Sequence, residues 1–180
     1  MVSMWRYPSP LGGIFLAAGD LGLTGLWFEG QTHDTDRLPL EYREEQTPIL
    51  LETAHWLDIY FSGEVPGFLP PLHPVGTAFR QAVWQILLEI PYGQTATYGG
   101  LAARLARERG IPRMSAQAIG GAVGHNPIAL IIPCHRVVGA DGSLTGYAGG
   151  LDRKRKLLEL EKIVPLSCGV TRGTNNRPNT

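Results

Sequence analysis

The chain has 180 residues, of which 43% are hydrophobic and 18% are charged, and its formal net charge at pH 7 is zero. This composition excludes a disordered chain, and no apolar run approaches the ~18 residues that a membrane span needs. The two cysteines, Cys134 and Cys168, exclude a disulfide framework and a cysteine-rich zinc site. The N-terminus lacks the apolar core of a signal peptide, so we expect a cytoplasmic protein, or a nuclear one if the source is eukaryotic.

The charges are divided unequally along the chain. Residues 1–73 carry three basic and ten acidic residues, a net charge of −7, whereas residues 74–166 carry eleven basic and six acidic residues, a net charge of +5. A basic half suits a polyanion such as nucleic acid bound on one face. Chance segregation of surface charge is the alternative, and the charge pattern alone favours it.

The first half reads as strands followed by one helix. Short apolar segments bounded by Pro and Gly predict strands near 5–7, 13–18 and 23–28. Residues 31–47 are polar and predict a surface loop, and the apolar spacing of 48–62 predicts a helix.

A proline-rich segment separates the two halves. Four prolines within residues 65–74 rule out a helix or a central strand and predict an interdomain linker. The predicted domains are therefore 1–73 and 74–166, and the composition of residues 167–180 predicts a flexible tail.

Helix caps mark the start of three helices in the second half. Thr77, Thr97 and Ser115 can each accept a bond from a free amide of a first helical turn. The predicted helices of this half are 78–89, 98–109, 116–124 and 153–162. The second and third, joined by a short turn with Gly110 and Pro112, have the outline of a helix-turn-helix. Taken alone, the pattern favours an ordinary helical hairpin.

Cys134 is the candidate nucleophile. It follows the apolar run 128–132 and stands beside His135 and Arg136. A thiol with its ordinary pKa of ~8.5 is mostly protonated at pH 7, so a neighbouring base or positive charge is needed to form the thiolate. In an extended segment consecutive side chains point to opposite sides, so His135 assists only if the backbone turns or a water bridges the groups. An isolated Cys-His pair favours the alternative, a buried and inert cysteine.

The sequence around Cys134 closely resembles the O6-alkylguanine-DNA alkyltransferases, also called methylated-DNA–protein-cysteine methyltransferases. The motifs that carry the resemblance are 93–98, 118–122, 126–127, 131–139, 141–142 and 145–150, with Pro133-Cys134-His135-Arg136-Val137 the most specific. The resemblance covers roughly residues 77–163, and the first half fits more loosely. It implies an α/β N-terminal ribonuclease-H-like domain and a mainly α C-terminal domain with a helix-turn-helix, winged-helix-like.

The resemblance implies DNA repair in a single turnover. The alkyl group on O6 of guanine, and on O4 of thymine as a further substrate, would pass irreversibly to Cys134. His135 would take the thiol proton through a water, Glu161 in the final helix would orient His135, and Asn126 would brace the turn before the active-site strand. Without the resemblance, Glu161 reads as a solvated helical residue and Asn126 as a helix C-cap. The expected partner is double-stranded DNA containing O6-alkylguanine, bound by a monomer with no membrane, metal or cofactor.

The resemblance also assigns residues to the flipped base. Tyr98 would rotate the nucleotide outward and donate to guanine N3, and the backbone carbonyls of Cys134 and Val137 would accept the guanine amino group. Tyr147 would line the pocket, and the backbone amide of Ala148 would meet O6.

A helix of small residues is assigned to the minor groove of DNA. The implied DNA contacts are Gln117, Ala118, Gly120, Gly121, Ala122, Arg113 and Arg136. The chain departs from the family pattern at Gln117, where an arginine is common, and at Ala148, where some members have a hydroxyl residue. The departure at Gln117 predicts weaker DNA affinity or a smaller dependence on salt. The basic run 153–156 is expected to contact phosphate or form a solvated helix face, in preference to a nuclear signal.

Two other functions remain open. A cysteine hydrolase would use Cys134, His135 and Glu161 and would turn over many times. A non-catalytic lesion sensor would have the same fold, but alkyltransferase-like sensors replace the acceptor cysteine, which is present here.

Overall fold

A four-stranded sheet and one helix form the N-terminal half in the computed structural model, which describes residues 1–31 and 37–163. The strands are β1 (Val2–Ser9), β2 (Gly12–Ala18), β3 (Leu23–Phe28) and β4 (Tyr42–Glu44). Their order is β3-β2-β1-β4, with β1, β2 and β3 antiparallel and β4 parallel to β1. The prediction of a loop over 31–47 missed β4, whose three residues are all exposed and give no hydrophobic alternation.

Helix α1 (Pro48–Phe61) covers one face of this sheet. Thr47 caps its first turn by accepting a bond from the Leu50 amide. The buried alternate residues of β2 and β3, including Ile14, Leu16 and Leu26, belong to the same core cluster as Leu57 of α1. Because the helix is held by its apolar face, the side chains near its C-terminal end are fixed in position.

The two halves of the chain meet at the edge of β3 that is not paired with β2. The Leu23 amide donates to Pro71 O at 2.7 Å, and the His73 amide donates to Leu23 O at 2.8 Å, so the predicted linker lies along the strand. Further along β3, Leu26 exchanges bonds in the same way with Pro127 and Ala129, at 2.9 Å each. The segment that leads to Cys134 is therefore anchored on the N-terminal sheet.

As far as residue 163, the last that the structure describes, the second half contains four helices and a pair of two-residue strands. The elements are α2 (Ala78–Leu87), β5 (Ala96–Thr97), α3 (Tyr98–Arg109), α4 (Ala116–Gly124), β6 (Val137–Val138) and α5 (Leu151–Leu160). The side chains of Thr77, Thr97 and Ser115 cap α2, α3 and α4, and Gly110 ends α3 in the left-handed conformation with φ of 65°. Helices α3 and α4 pack against each other, and α2 packs on α4 through a bond from Trp84 Nε1 to Ala122 O at 2.9 Å.

Two details differ from the predicted elements. The run 128–132 is not a strand, because Leu130 has φ of 67° and the Ile131 amide turns back to Ala129 O at 2.8 Å. Helix α5 begins and ends two residues earlier than predicted, which leaves Glu161 at its C-cap. The predicted tail, 167–180, lies outside the described residues. Within the described ranges, no helix has the length and apolarity to cross a membrane.

Candidate active site

The backbone turns at Cys134, as assistance from His135 requires. Residues Cys134–Arg136 form one turn of 3₁₀ helix that follows Pro133 and runs directly into β6. Cys134 is 7% exposed and lines a cavity of about 150 Å³. The cavity wall includes Arg37 from the first half of the chain and Tyr98, Asn126, Tyr147 and Ala148 from the second.

Asn126 holds the irregular segment that delivers Cys134. Its buried amide nitrogen donates to Ile132 O at 2.8 Å, and its amide oxygen accepts from the Ile128 amide at 3.0 Å. One side chain thus replaces the ladder bonds that the segment would have in a strand. The Asn126 side chain also stabilises the thiolate form of Cys134.

A buried carboxylate fixes the orientation of His135. His135 Nε2 lies 2.5 Å from Glu161 Oε2, and neither side chain is exposed. The Glu161 carboxylate accepts hydrogen bonds only, so His135 carries its proton on Nε2 and presents the lone pair of Nδ1. Nδ1 is buried and has no hydrogen-bond partner among the described residues. This tautomer makes His135 a base on the side opposite Glu161.

Glu161 receives four donors on its two oxygens. Oε1 accepts from Arg136 Nε at 2.7 Å and from the Gly93 amide at 3.2 Å, and Oε2 accepts from Tyr60 at 2.7 Å besides His135. Burial opposes the ionisation of Glu161, but the bonds from His135 and Arg136 outweigh it and lower its pKa to about 2. Glu161 is therefore a buried anion at neutral pH, which contradicts its reading as a solvated helical residue.

The thiol and the imidazole are both neutral at rest. Burial raises the pKa of the Cys134 thiol, and Asn126, Lys154 and Arg37 counteract this only in part. Burial also lowers the pKa of His135, with Glu161 opposing the shift. Cys134 and His135 therefore do not form a thiolate–imidazolium pair before the reaction. Cys134 can become nucleophilic if His135 accepts its proton as the reaction proceeds.

Lysine 154 supports the wall of the cavity, in contrast to the expectation for the basic run 153–156. Its fully buried ammonium group donates to Val137 O at 2.6 Å, Thr145 O at 2.9 Å and Gly146 O at 3.2 Å. Arg153 packs over the ring of Phe28 at 4.6 Å and bonds to backbone carbonyls. In this run only Arg155 and Lys156 are exposed, and both pair with Asp152.

The predicted base-binding residues surround the cavity, with one exception. Tyr98 donates from its hydroxyl to Thr145 O at 3.1 Å, while the buried Tyr147 hydroxyl has no partner within the described residues. Gly149 packs so closely on Tyr147 that a Cβ atom there would lie 2.8 Å from the ring. Val137 is fully buried behind the cavity, and its carbonyl already accepts from Lys154.

Some of the predicted DNA contacts lie on the surface of the protein, and others are buried. The exposed residues are Arg113, Gln117, Ala118 and Gly121, and Gly120 is half-buried at the cavity. Ala122 is 3% exposed and faces the core beside Trp84, so its side chain is not a surface contact, which corrects that expectation.

Arg136 is a second correction. Its guanidinium is buried, bonds to Glu161 and to Ile90 O at 2.7 Å, and lies over the Tyr92 ring at 5.7 Å. A group held in this way is not available to a DNA phosphate. Arg136 instead donates to Glu161 through Nε, so the guanidinium and the carboxylate are buried together as an ion pair.

Three residues of the site were missed by sequence reasoning. Tyr60 contacts Glu161 across 101 positions of sequence, Lys154 lay within an apparently exposed basic run, and Arg37 donates to Asn126 O at 3.0 Å across 89 positions. No local pattern reports such distant contacts. The one local signal is Lys154, which precedes the buried Leu157 and Leu158 by three and four residues, the spacing of one helix face.

Comparison with known proteins defines the class. The chain consists of a ribonuclease-like half and a DNA-binding half: the ribonuclease-like domain of 6-O-methylguanine DNA methyltransferase matches residues 6–74, and the DNA-binding domain of the same enzyme matches residues 78–163. The chain belongs to the 6-O-methylguanine DNA methyltransferase family. The resemblance inferred from the motifs and the two-domain architecture are thereby confirmed.

Individual relatives agree along nearly the whole chain. A methylated-DNA–protein-cysteine methyltransferase of Haemophilus influenzae is 42% identical over 165 residues, covering 91% of this chain and 88% of the relative. The enzyme of that name from Mycobacterium tuberculosis is 46% identical over 162 residues, covering 90% and 93%. A crystal structure of the M. tuberculosis O6-methylguanine methyltransferase matches with a TM-score of 0.77 at 44% identity, covering 90% and 93%. A structure of the M. tuberculosis protein in complex with DNA matches with a TM-score of 0.74 at 42% identity, covering 89% and 92%.

Proposed function

We propose that this chain repairs DNA by moving the alkyl group of O6-alkylguanine irreversibly to its own Cys134, once per molecule. The observation that carries the proposal is a cysteine at a cavity with a buried His135–Glu161 pair behind it. Relatives that share more than two fifths of the sequence are named for methylated DNA and a cysteine acceptor, and one solved relative is bound to DNA.

The transfer is an in-line displacement at the alkyl carbon. The Cys134 sulfur forms a bond to this carbon while the bond from carbon to O6 breaks, and the electron pair of that bond passes into the guanine ring. The thiol proton moves to His135 Nδ1 through a water. The guanine anion, which remains part of the DNA, takes a proton from solvent at N1, and His135 returns its proton to solvent, so no net proton is gained or lost. No metal or cofactor is needed, because the alkyl group moves directly between the two atoms.

The product explains why one molecule acts once. An alkylated cysteine is a thioether without a good leaving group, so water does not regenerate the thiol at neutral pH. A hydrolase with the same three side chains would release its acyl group and turn over. The same displacement applies to O4-alkylthymine, whose alkyl carbon is also bonded to a carbonyl-type oxygen.

Base recognition uses groups that are already placed around the cavity. The Tyr98 hydroxyl leaves Thr145 O and donates to guanine N3 as negative charge develops on the base. The carbonyls of Cys134 and Val137 each hold one bond within the protein and retain a lone pair for the guanine amino group. The Ala148 amide meets O6, and Tyr147 forms the wall beside it.

Helices α3 and α4 act as the helix-turn-helix, in a winged-helix-like domain, with α4 entering the minor groove of double-stranded DNA. The exposed small residues Ala118 and Gly121 let the helix approach closely, and Gln117 fills the gap left by the extruded base. Arg113 supplies a phosphate contact at the start of this surface. Residues 74–166 form this DNA-binding and transfer domain, residues 1–73 support it, and the chain acts as a monomer.

Mass spectrometry of the intact protein tests the proposal. After incubation with a duplex oligonucleotide containing O6-methylguanine, the protein should gain the mass of one methyl group, and peptide mapping should place it on Cys134. Cys134→Ser should gain nothing, and Cys168→Ser should react like the wild type. Methylation at another residue, or repair without any gain in mass, would contradict the proposal.

A further inference from the structure

The side chain of Tyr60 connects the N-terminal half to the His135–Glu161 pair. Tyr60 lies in the last turns of α1 and is fully buried, and its hydroxyl donates to Glu161 Oε2 at 2.7 Å. The same oxygen accepts from His135 Nε2 at 2.5 Å, and the tyrosine oxygen lies 3.4 Å from Nε2. A single carboxylate oxygen therefore holds one donor from each half of the chain.

We infer that Tyr60 is a positioning residue for the reaction of Cys134: its bond to Glu161 Oε2 fixes the oxygen that orients His135 and takes up part of the negative charge of that oxygen, so that His135 stays neutral with Nδ1 free for the thiol proton. This inference rests on the proposed function for its biological meaning. It gives the N-terminal half a role in setting the protonation of His135, in addition to supporting the second half of the chain.

The arrangement of donors argues for this role. Glu161 Oε1 is occupied by Arg136 and the Gly93 amide, so the carboxylate cannot rotate without breaking both bonds. Tyr60 and His135 both donate to Glu161 Oε2. The Tyr60 hydroxyl oxygen and His135 Nε2 lie 3.4 Å apart because these two donors share one acceptor. If Tyr60 turned its proton to Nε2 instead, His135 would carry its proton on Nδ1 and could not accept one from Cys134.

The ring of Tyr60 is fixed independently of its hydroxyl. It stacks on Trp56 with a centroid distance of 5.3 Å and meets Phe61 and Tyr92 edge-on. A phenylalanine would keep these contacts and remove only the hydroxyl. Removal of the hydroxyl leaves more negative charge on Oε2 for His135, which favours the imidazolium form and raises the pKa of His135.

The other charges near His135 stay constant in this comparison. The charged or titratable groups that face His135 or Glu161 are Cys134, Arg136, Lys154, Tyr92 and Tyr147. Among the described residues, none of these five groups forms a hydrogen bond with the Tyr60 hydroxyl. The acidic limb of a rate profile is the pH range in which the rate falls because His135 gains a proton. A shift of this limb therefore reports on the bond between Tyr60 and Glu161.

The test compares Tyr60→Phe with Tyr7→Phe in the full-length protein. Tyr7 donates to Asp58 on the same helix α1, so its variant removes a tyrosine-to-carboxylate bond without touching Glu161. Two rates are measured against pH in the folded protein. The first is methyl transfer from an O6-methylguanine duplex. The second is alkylation of Cys134 by iodoacetamide, which needs no DNA and is followed on the peptide that contains Cys134 after digestion.

For Tyr60→Phe we expect the acidic limb to move upward by about one pH unit in both assays, which lowers the methyl-transfer rate about tenfold at pH values on that limb. Tyr7→Phe should match the wild type in both. Wild-type profiles for Tyr60→Phe, or equal changes in both variants, would overturn the inference. A displaced iodoacetamide limb in a protein that never accepts methyl from DNA would keep the positioning role and reject the proposed function.

A second variant covers the case in which Tyr60→Phe does not fold. Replacement of Tyr60 by 3-fluorotyrosine keeps the ring and makes the hydroxyl a stronger donor. The acidic limb should then move to lower pH, opposite in sign to Tyr60→Phe. An unchanged limb would overturn the inference.

Discussion

Glu161 Oε2 and His135 Nε2 lie 2.5 Å apart and neither side chain is exposed to solvent, so the proposed general base, His135, is oriented by a buried anion. Arg136 makes that burial tolerable, because its guanidinium bonds to the other carboxylate oxygen at 2.7 Å. Removal of the Glu161 charge would therefore affect reactivity through His135, and it would affect stability because the Arg136 charge would be left buried without a partner.

The Glu161→Gln variant tests what the charge of Glu161 contributes to stability and to the rate of methyl transfer. The amide keeps the shape of the side chain but leaves the Arg136 charge buried without its counter-ion, which should lower the free energy of unfolding by about 3–5 kcal/mol. The rate of methyl transfer should fall about 100-fold or more, since His135 loses the charge that stabilises its protonated form. Chemical denaturation and single-turnover kinetics measure the two effects.

Glu159→Gln is the matched control, because Glu159 is exposed on the same helix. It should change the unfolding free energy by no more than about 0.5 kcal/mol. Equal losses in the two variants would show that the charge of Glu161 has no special place in the site.

Stability should depend on pH through Glu161. Its pKa is about 2 in the folded protein and about 4.3 in an unfolded chain, so the folded state gains stability that is present above pH 4.3 and is lost as pH falls toward 2. The expected loss is on the order of 3 kcal/mol across this range. Unfolding measured at several pH values should show it in the wild type, and Glu161→Gln should lack this component. A wild-type slope that persists in the variant would be contrary to expectation.

Lys154→Met should loosen the cavity wall. The ammonium group holds three backbone carbonyls, and hydrogen bonds to a charged donor contribute about 1.5–3 kcal/mol each before desolvation is counted. We expect a loss of several kcal/mol in unfolding free energy and slower methyl transfer, because the 145–146 segment also accepts from Tyr98. Lys156→Met, two residues away and exposed, should leave both quantities near their wild-type values. A result in which both lysine variants behave alike would remove Lys154 from the site.

Gln117→Arg should strengthen DNA binding. An arginine on the exposed side of α4 adds one phosphate-neutralising charge, so affinity should rise and the slope of log affinity against log salt should steepen by about 0.9. Fluorescence anisotropy over a range of salt concentrations measures this. Gln85→Arg adds the same charge on the exposed side of α2 and should change the slope less. Equal slopes for the two variants would argue against α4 as the DNA-binding helix.

The elements that the sequence predicted well are those with local signals. Helices α3 and α4 were placed to the residue because Thr97, Ser115 and Gly110 cap or terminate them within one turn. The short exposed strand β4 and the irregular run 128–132 were missed because one is held by backbone bonds to β1, and the other by the Asn126 side chain.

The candidate site was only partly predictable for the same reason. Cys134 and His135 came from a specific motif and Glu161 from the family resemblance, whereas Tyr60 and Lys154 act through contacts that exist only in the folded chain. Arg136 and Ala122 were assigned to DNA because sequence position does not reveal which side of a turn or helix is buried.

The number of lesions repaired per protein molecule distinguishes a single-use acceptor from an enzyme that turns over. With an excess of O6-methylguanine duplex, product should rise to one equivalent of active protein and stop, while the free Cys134 thiol disappears in step with it. Continued repair beyond one equivalent, with the thiol still free, would contradict the account.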